Sequence, residues 1–181
     1  MNHLRIFTVI ALLSLGSTGC QFLPNSQTPE APPTESNSST STTPPSANKL
    51  PPEQTYELQV NRDQVWGMLR KVAFTENSIV VSLEVTNGSR QAIELSAKDD
   101  MYLQDNTGGY TGNRYNLSPP PNNPTLVIQP GTTLRGKFVF IGRLAPKATE
   151  LTLYINASTP SYSQENAQRP NMRFQGIFIR R

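Results

Sequence analysis

Ser78-Ile79-Val80-Val81-Ser82-Leu83-Glu84-Val85-Thr86 carries the plainest backbone signal in the chain. Ile79, Val81, Leu83 and Val85 alternate with Val80, Ser82, Glu84 and Thr86, the period of two expected when one face of a strand is buried. Asn87-Gly88-Ser89 follows as a turn signal. The same alternation recurs downstream. Leu134, Phe138 and Phe140 share one face of Leu134–Phe140, and the Pro130-Gly131 turn dipeptide precedes them. Leu151, Leu153 and Ile155 alternate with Thr152, Tyr154 and Asn156, and Met172–Ile179 ends the series. Upstream, Tyr56–Val60 and Val65–Phe74 are strand candidates; Ala92–Leu95, Met101–Leu103 and Leu126–Ile128 are shorter ones.

No segment of this region shows helical periodicity. Seven to nine short strands punctuated by Pro, Gly and Asn predict one all-β domain, a two-sheet antiparallel β-sandwich over residues 53–181. Its expected aromatic core is Trp66, Phe74, Phe138, Phe140, Phe174 and Phe178, with a ligand-binding platform as the sharper alternative for Trp66.

Ahead of the domain the composition changes twice. Ile6–Leu15 is nearly all apolar and follows a head bearing Arg5, which matches the hydrophobic region of an export signal. As a helix it would span about 15 Å, roughly half a bilayer core. Ser17-Thr18-Gly19-Cys20 comes next and holds the chain's single cysteine. This box resembles that of bacterial lipoprotein precursors, in which the cysteine takes a thioether-linked diacylglycerol before cleavage in front of it. The resemblance implies lipid attachment at Cys20 and residues 1–19 as signal peptide. Ser17 stands where that family prefers Leu, and Ser17-Thr18-Gly19 also fits an ordinary signal peptidase site. Residues 20–52 follow with prolines at Pro24, Pro29, Pro32, Pro33, Pro44 and Pro45 around the polar run Ser36–Thr43. They lack the apolar surface to offset ordering entropy, so they read as a disordered tether about 30 Å in root-mean-square span. The expected location is the extracytoplasmic side of a cell-envelope membrane.

The chain has 16 Lys and Arg against 13 Asp and Glu, without a basic cluster that would mark a nucleic-acid partner. Its one histidine is His3 and its one cysteine is Cys20, so residues 53–181 cannot supply a Ser-His-Asp, Cys-His or His/Cys zinc site. Carboxylates remain. Asp99-Asp100 and Asp105 do not have EF-hand spacing, and turn formation accounts for them. No phosphate loop or dinucleotide motif is present, and no cofactor is expected.

The strand ending in Thr86-Asn87, the turn Asp105-Asn106-Thr107-Gly108-Gly109-Tyr110, and Pro130-Gly131 with Gly136 before an aromatic strand form a further pattern. It resembles the immunoglobulin-like domain of many bacterial lipoproteins and, in fold, secreted mycobacterial immunoprotective antigens. The prolines at 119–121 and 124 are most similar to cyanobacterial members. The resemblance implies an immunoglobulin-like sandwich at the envelope and carries over no active residue. Three functions stand as expectations. The first is a non-enzymatic binding or structural module, meeting an envelope protein or glycan through the loops 105–115 and 116–124, with Asp105, Tyr110 and Tyr115 as contact residues. The second is a small-ligand carrier with Trp66 or Tyr110 in a pocket. The third is a carboxylate-dependent glycan hydrolase.

Overall fold

Alternating side-chain burial runs through most of the strands. The computed structural model describes residues 49–96, 100–109, 112–120, 122–160 and 162–181. The export segment, Cys20, nearly all of the tether, Asp99 and Tyr110 lie outside the described residues. Among the described residues ten strands form: β1 (Gln54–Arg62), β2 (Val65–Phe74), β3 (Ser78–Asn87), β4 (Ile93–Glu94), β5 (Met101–Asp105), β6 (Arg114–Asn116), β7 (Val127–Ile128), β8 (Thr133–Ile141), β9 (Glu150–Ile155) and β10 (Met172–Phe178). Among the described residues the helical content is one 3-10 turn, Gln164–Ala167.

The strands make two four-stranded sheets, β1-β2-β3-β8 and β10-β9-β5-β6, and a small β4-β7 pair, all antiparallel. In β3 the residues Ile79, Val81, Leu83 and Val85 are buried, as their alternation predicts. Met101 and Leu103 of β5, Leu151, Leu153 and Ile155 of β9, and Phe138 and Phe140 of β8 join them in one core. Each such buried apolar side chain contributes roughly 1.5–3 kcal/mol.

The register shifts between Thr55 and Leu58 in β1, in β2 and in β10, and the latter two set which residues face in. β2 carries Val65, Gly67 and Leu69 on its buried face, and the register then shifts between Leu69 and Lys71. Arg70 and Lys71 consequently both point out, and Val72 turns in. Two consecutive charges between apolar residues record that bulge in the sequence. In β10 the shift between Phe174 and Ile177 takes Gly176 into the left-handed region, φ 70°, and brings Ile177 inward. The expected aromatic core is corrected accordingly. Phe138, Phe140 and Phe174 are buried and Phe74 partly so, but Phe178 is 63% exposed because the β10 bulge reverses its phase. Trp66 is 40% exposed, since it stands between Val65 and Gly67 on the outer phase of β2.

The open side of the two sheets is closed by side chains. The Gln54 amide of β1 behaves like a peptide unit: Nε2 donates to Arg180 O at 2.9 Å, and Arg180 N donates to Oε1 at 2.8 Å. Tyr56 Oη donates to Phe178 O at 2.7 Å. At the β3 end, the buried Asn87 amide donates to Gln91 O and Ile128 O, and its oxygen accepts from Ser89 N and Oγ. Pro130-Gly131 forms the expected tight turn, with Thr132 N donating to Gln129 O and Gly131 at φ 69°.

Candidate functional site

The loop after β5 is organised by a carboxylate that faces inward. Asp105 ends the buried phase of Met101, Leu103 and Asp105, and its side chain accepts five hydrogen bonds. Thr107 N and Oγ1 donate at 2.9 Å, Asn113 N and Nδ2 at 3.1 Å, and Tyr115 Oη at 2.7 Å. Burial raises the Asp105 pKa, but the donations from Thr107, Tyr115 and Asn113 outweigh it and hold the carboxyl below its ordinary value. Tyr115 moves the other way, pushed up to about 12, by burial first and then by its hydrogen bond to Asp105. Its oxygen also accepts from Ala145 N at 3.1 Å, tying the loop to the segment after β8. Asp105 and Tyr115 are therefore bonded to each other, to the Thr107 and Asn113 side chains and to the backbone. Residues 114–116, expected as loop, instead form β6 against β5.

Asp100 is similarly engaged. It accepts from Ser158 N at 2.7 Å and Ser158 Oγ at 2.6 Å, and pairs with Arg169 Nη2 at 3.4 Å. Asp100 and Asp105 bracket β5, which separates them by about 17 Å at strand rise. The carboxyl pairs of glycoside hydrolases stand roughly 5–9.5 Å apart. Among the described residues no three His, Cys, Asp or Glu side chains group as metal ligands, and no helix is long and apolar enough to cross a membrane.

The outer face of the second sheet presents a different arrangement. Tyr102 of β5 and Tyr154 of β9 are directly paired across the ladder, and their rings stack at 4.8 Å and 18°. The Arg114 guanidinium of β6 lies 3.7 Å over the Tyr102 ring, and that of Arg173 of β10 lies 4.9 Å over Tyr154. Four strands thus contribute one rung each to an Arg-Tyr-Tyr-Arg stack about 14 Å long, three inter-strand spacings. The ring pair contributes about 0.5–1.5 kcal/mol beyond its buried area, and each cation–ring contact about 0.5–1 kcal/mol. Arg114 Nε donates to Asn116 Oδ1 at 2.8 Å. Arg173 makes no salt bridge among the described residues, and its guanidinium donates to the Gln175 side-chain oxygen, with nitrogen–oxygen distances of 2.9–3.1 Å. The Tyr102 pKa is raised, by burial first, with Arg114 opposing.

Tyr102, Tyr154 and Arg173 of the stack, without Arg114, line an open cleft of about 470 Å³ together with Val60, Asn61, Arg62, Ala157 and Asn171. No carboxylate lines it. A second cleft of about 440 Å³ lies between the β1–β2 turn and the segment after β3, with Asp63 among its lining residues. Trp66 lines neither cleft; its ring lies against Gly88, where a side chain would collide with it.

No known protein family matches the chain, and no curated protein matches it. Among solved structures it is similar to a protein of unknown function from Listeria monocytogenes, at 12% identity and TM-score 0.45 over 70% of this chain and 87% of that one. A conserved hypothetical protein from Bacillus anthracis is similar at 13% identity and TM-score 0.43, over 61% and 96%. A candidate lipoprotein from Bacillus subtilis is similar at 14% identity and TM-score 0.45, over 68% of this chain and 39% of that one. These likenesses are too distant to transfer an activity or a partner.

The sequence pattern does not by itself single out Tyr102, Tyr154, Arg114 or Arg173. One available signal is a large polar side chain on the outward phase of a strand whose neighbours are buried, as in Met101-Tyr102-Leu103, Leu153-Tyr154-Ile155 and Met172-Arg173-Phe174.

Proposed function

We propose that the chain is a membrane-tethered envelope lipoprotein, anchored through lipid on Cys20, whose immunoglobulin-like sandwich is a non-enzymatic binding module. The observation that carries the binding reading is the Arg-Tyr-Tyr-Arg stack beside a cleft free of carboxylates, an ordered polar face that core packing does not require. Strand order supports the immunoglobulin-like assignment. Taking β3, β5, β8, β9 and β10 as strands B, C, E, F and G places B beside E in one sheet and C-F-G in the other. The anchor rests on the Gly19-Cys20 box and the apolar Ile6–Leu15.

Intact mass and membrane partitioning test the anchor. Wild type is expected in the detergent phase with a diacylglyceryl adduct, and Cys20→Ala in the aqueous phase; an unmodified, soluble wild type refutes it. Hydroxyl-radical footprinting tests the module. Tyr102 and Tyr154 are expected to label less in intact envelopes than in the purified full chain, and equal labelling refutes a contact at this face.

A further inference from the structure

We propose that the end of the sandwich where the tether enters is a membrane-docking surface, on which Lys49, Lys147 and Arg180 meet anionic lipid headgroups beside the apolar side chains of Ile141 and Phe178. The proposal rests on the anchor reading above and gives the tethered domain its orientation. Arg181 gathers the three cations from distant parts of the chain. Its Nη1 donates to Lys49 O at 3.4 Å, and its Nη2 to Ala145 O at 3.1 Å and Ala148 O at 3.3 Å, on either side of Lys147. The two backbone bonds of Arg180 to the Gln54 amide hold it at the start of β1. Arg181 is thus a clasp, and its guanidinium is not counted as a headgroup contact.

Lys49, Lys147 and Arg180 are exposed, and none of them makes an ion pair among the described residues. The acids of this end are mostly engaged. Glu53 pairs with Lys71 at 3.0 Å, Glu76 with Arg143 at 2.9 Å, and Glu150 accepts from Gly176 N at 3.2 Å. Glu57, further along β1, is exposed and makes no ion pair among the described residues, so three such cations stand against one such acid. Ile141 ends β8 and is 58% exposed; Phe178 ends β10 and is 63% exposed. The two strands belong to different sheets, so each rim of this end carries a large apolar side chain outside the core. Apolar side chains beside cations suit a lipid–water interface, where the former enter the headgroup layer and the latter meet phosphates. Residues 21–48 separate Lys49 from Cys20, a reach of about 30 Å for a flexible chain. Tethering at that reach raises the local concentration, so a few charges suffice. The Arg-Tyr-Tyr-Arg stack stands toward the other end, since Tyr102 and Tyr154 pair one residue from the far ends of β5 and β9. Docking at the tether end leaves it clear of lipid.

Hydroxyl-radical footprinting of the purified full chain on phosphatidylcholine vesicles, with and without phosphatidylglycerol, tests this. Phe178 and Ile141 are expected to label less on the phosphatidylglycerol vesicles, Trp66 at the far end equally on both, and the difference should fade as salt is added. Lys147→Gln and Arg180→Gln should each lower the ratio of protected to unprotected Phe178 about fivefold, the weight of one cation at an anionic surface. Arg90→Gln, in the segment after β3 at the far end, should label as wild type. Should Arg180→Gln melt early, Lys147→Gln decides. Equal Phe178 labelling on the two kinds of vesicle, with the chain retained on both, overturns the docking and leaves the anchor standing. So does protection that persists when Lys147 and Arg180 are both replaced. Equal protection of Phe178 by inorganic polyphosphate on neutral vesicles overturns the lipid assignment. A wild type washed off neutral vesicles removes the anchor, and the docking with it.

Discussion

Removing one oxygen from Tyr115 should loosen the whole β5–β6 loop. In Tyr115→Phe the ring still fills its buried site, so hardly any cavity opens. What disappears is the donation to Asp105 Oδ2 at 2.7 Å and the acceptance from Ala145 N at 3.1 Å. A hydrogen bond to a charged acceptor contributes roughly 1.5–3 kcal/mol, and a stranded, part-buried N–H costs about 1 kcal/mol more. The expected loss is about 2–4 kcal/mol, or roughly 10 °C in melting temperature for a domain of this size. Urea unfolding at pH 7 measures it. The Asp105 pKa is lowered by folding, so its contribution is present above the unfolded carboxylate value and fades as pH falls through the folded one. The gap between wild type and variant should therefore narrow below about pH 4. The Tyr115 pKa is raised by folding, so the phenol contributes fully below about pH 10 and loses that contribution as pH rises toward about 12. Wild type should lose more stability along that alkaline limb than Tyr115→Phe, in which only the raised phenols of Tyr56 and Tyr102 remain to titrate. A variant within about 0.5 kcal/mol of wild type at pH 7 refutes the latch, that being the range of ordinary surface substitutions.

Gly67→Ala should destabilise by about 1–3 kcal/mol in the same urea assay, because the added Cβ would meet Phe174 Cζ at 2.5 Å across the core. A neutral result would mean the Phe174 ring has room to yield. Trp66 is the only tryptophan, so native fluorescence reports its site alone. Emission should be readily quenched by acrylamide, and Trp66→Thr should cost little stability; a blue-shifted, unquenchable signal would place the indole in the core instead.

The expectation for β3 matches its structure residue for residue, because Ile79, Val81, Leu83 and Val85 face one continuous core and nothing interrupts the period. At the bulges around Arg70 and Gly176 a reading by strict alternation misplaces the residues beyond them, whereas the shift between Thr55 and Leu58 leaves the β1 alternation intact. Phe178 shows this, counted inward and found outside. Trp66 has another cause: size alone suggested the core, while its odd phase between Val65 and Gly67 pointed out. β6 is illegible in advance because three residues carry too short a pattern, and only pairing with β5 makes them a strand.

By itself, then, the sequence determined the all-β class, most strand positions, the turns at Asn87 and Pro130-Gly131, and the absence of histidine and cysteine chemistry after Cys20. These depend on residue type and on neighbours in the chain. Only the tertiary structure decided that Asp105 and Tyr115 hold each other inside. Only it brought Arg114, Tyr102, Tyr154 and Arg173 into a single stack, from four strands and with its two end residues 59 positions apart in the chain. Such contacts are fixed by sheet register, and register is set by the packing of every buried face at once.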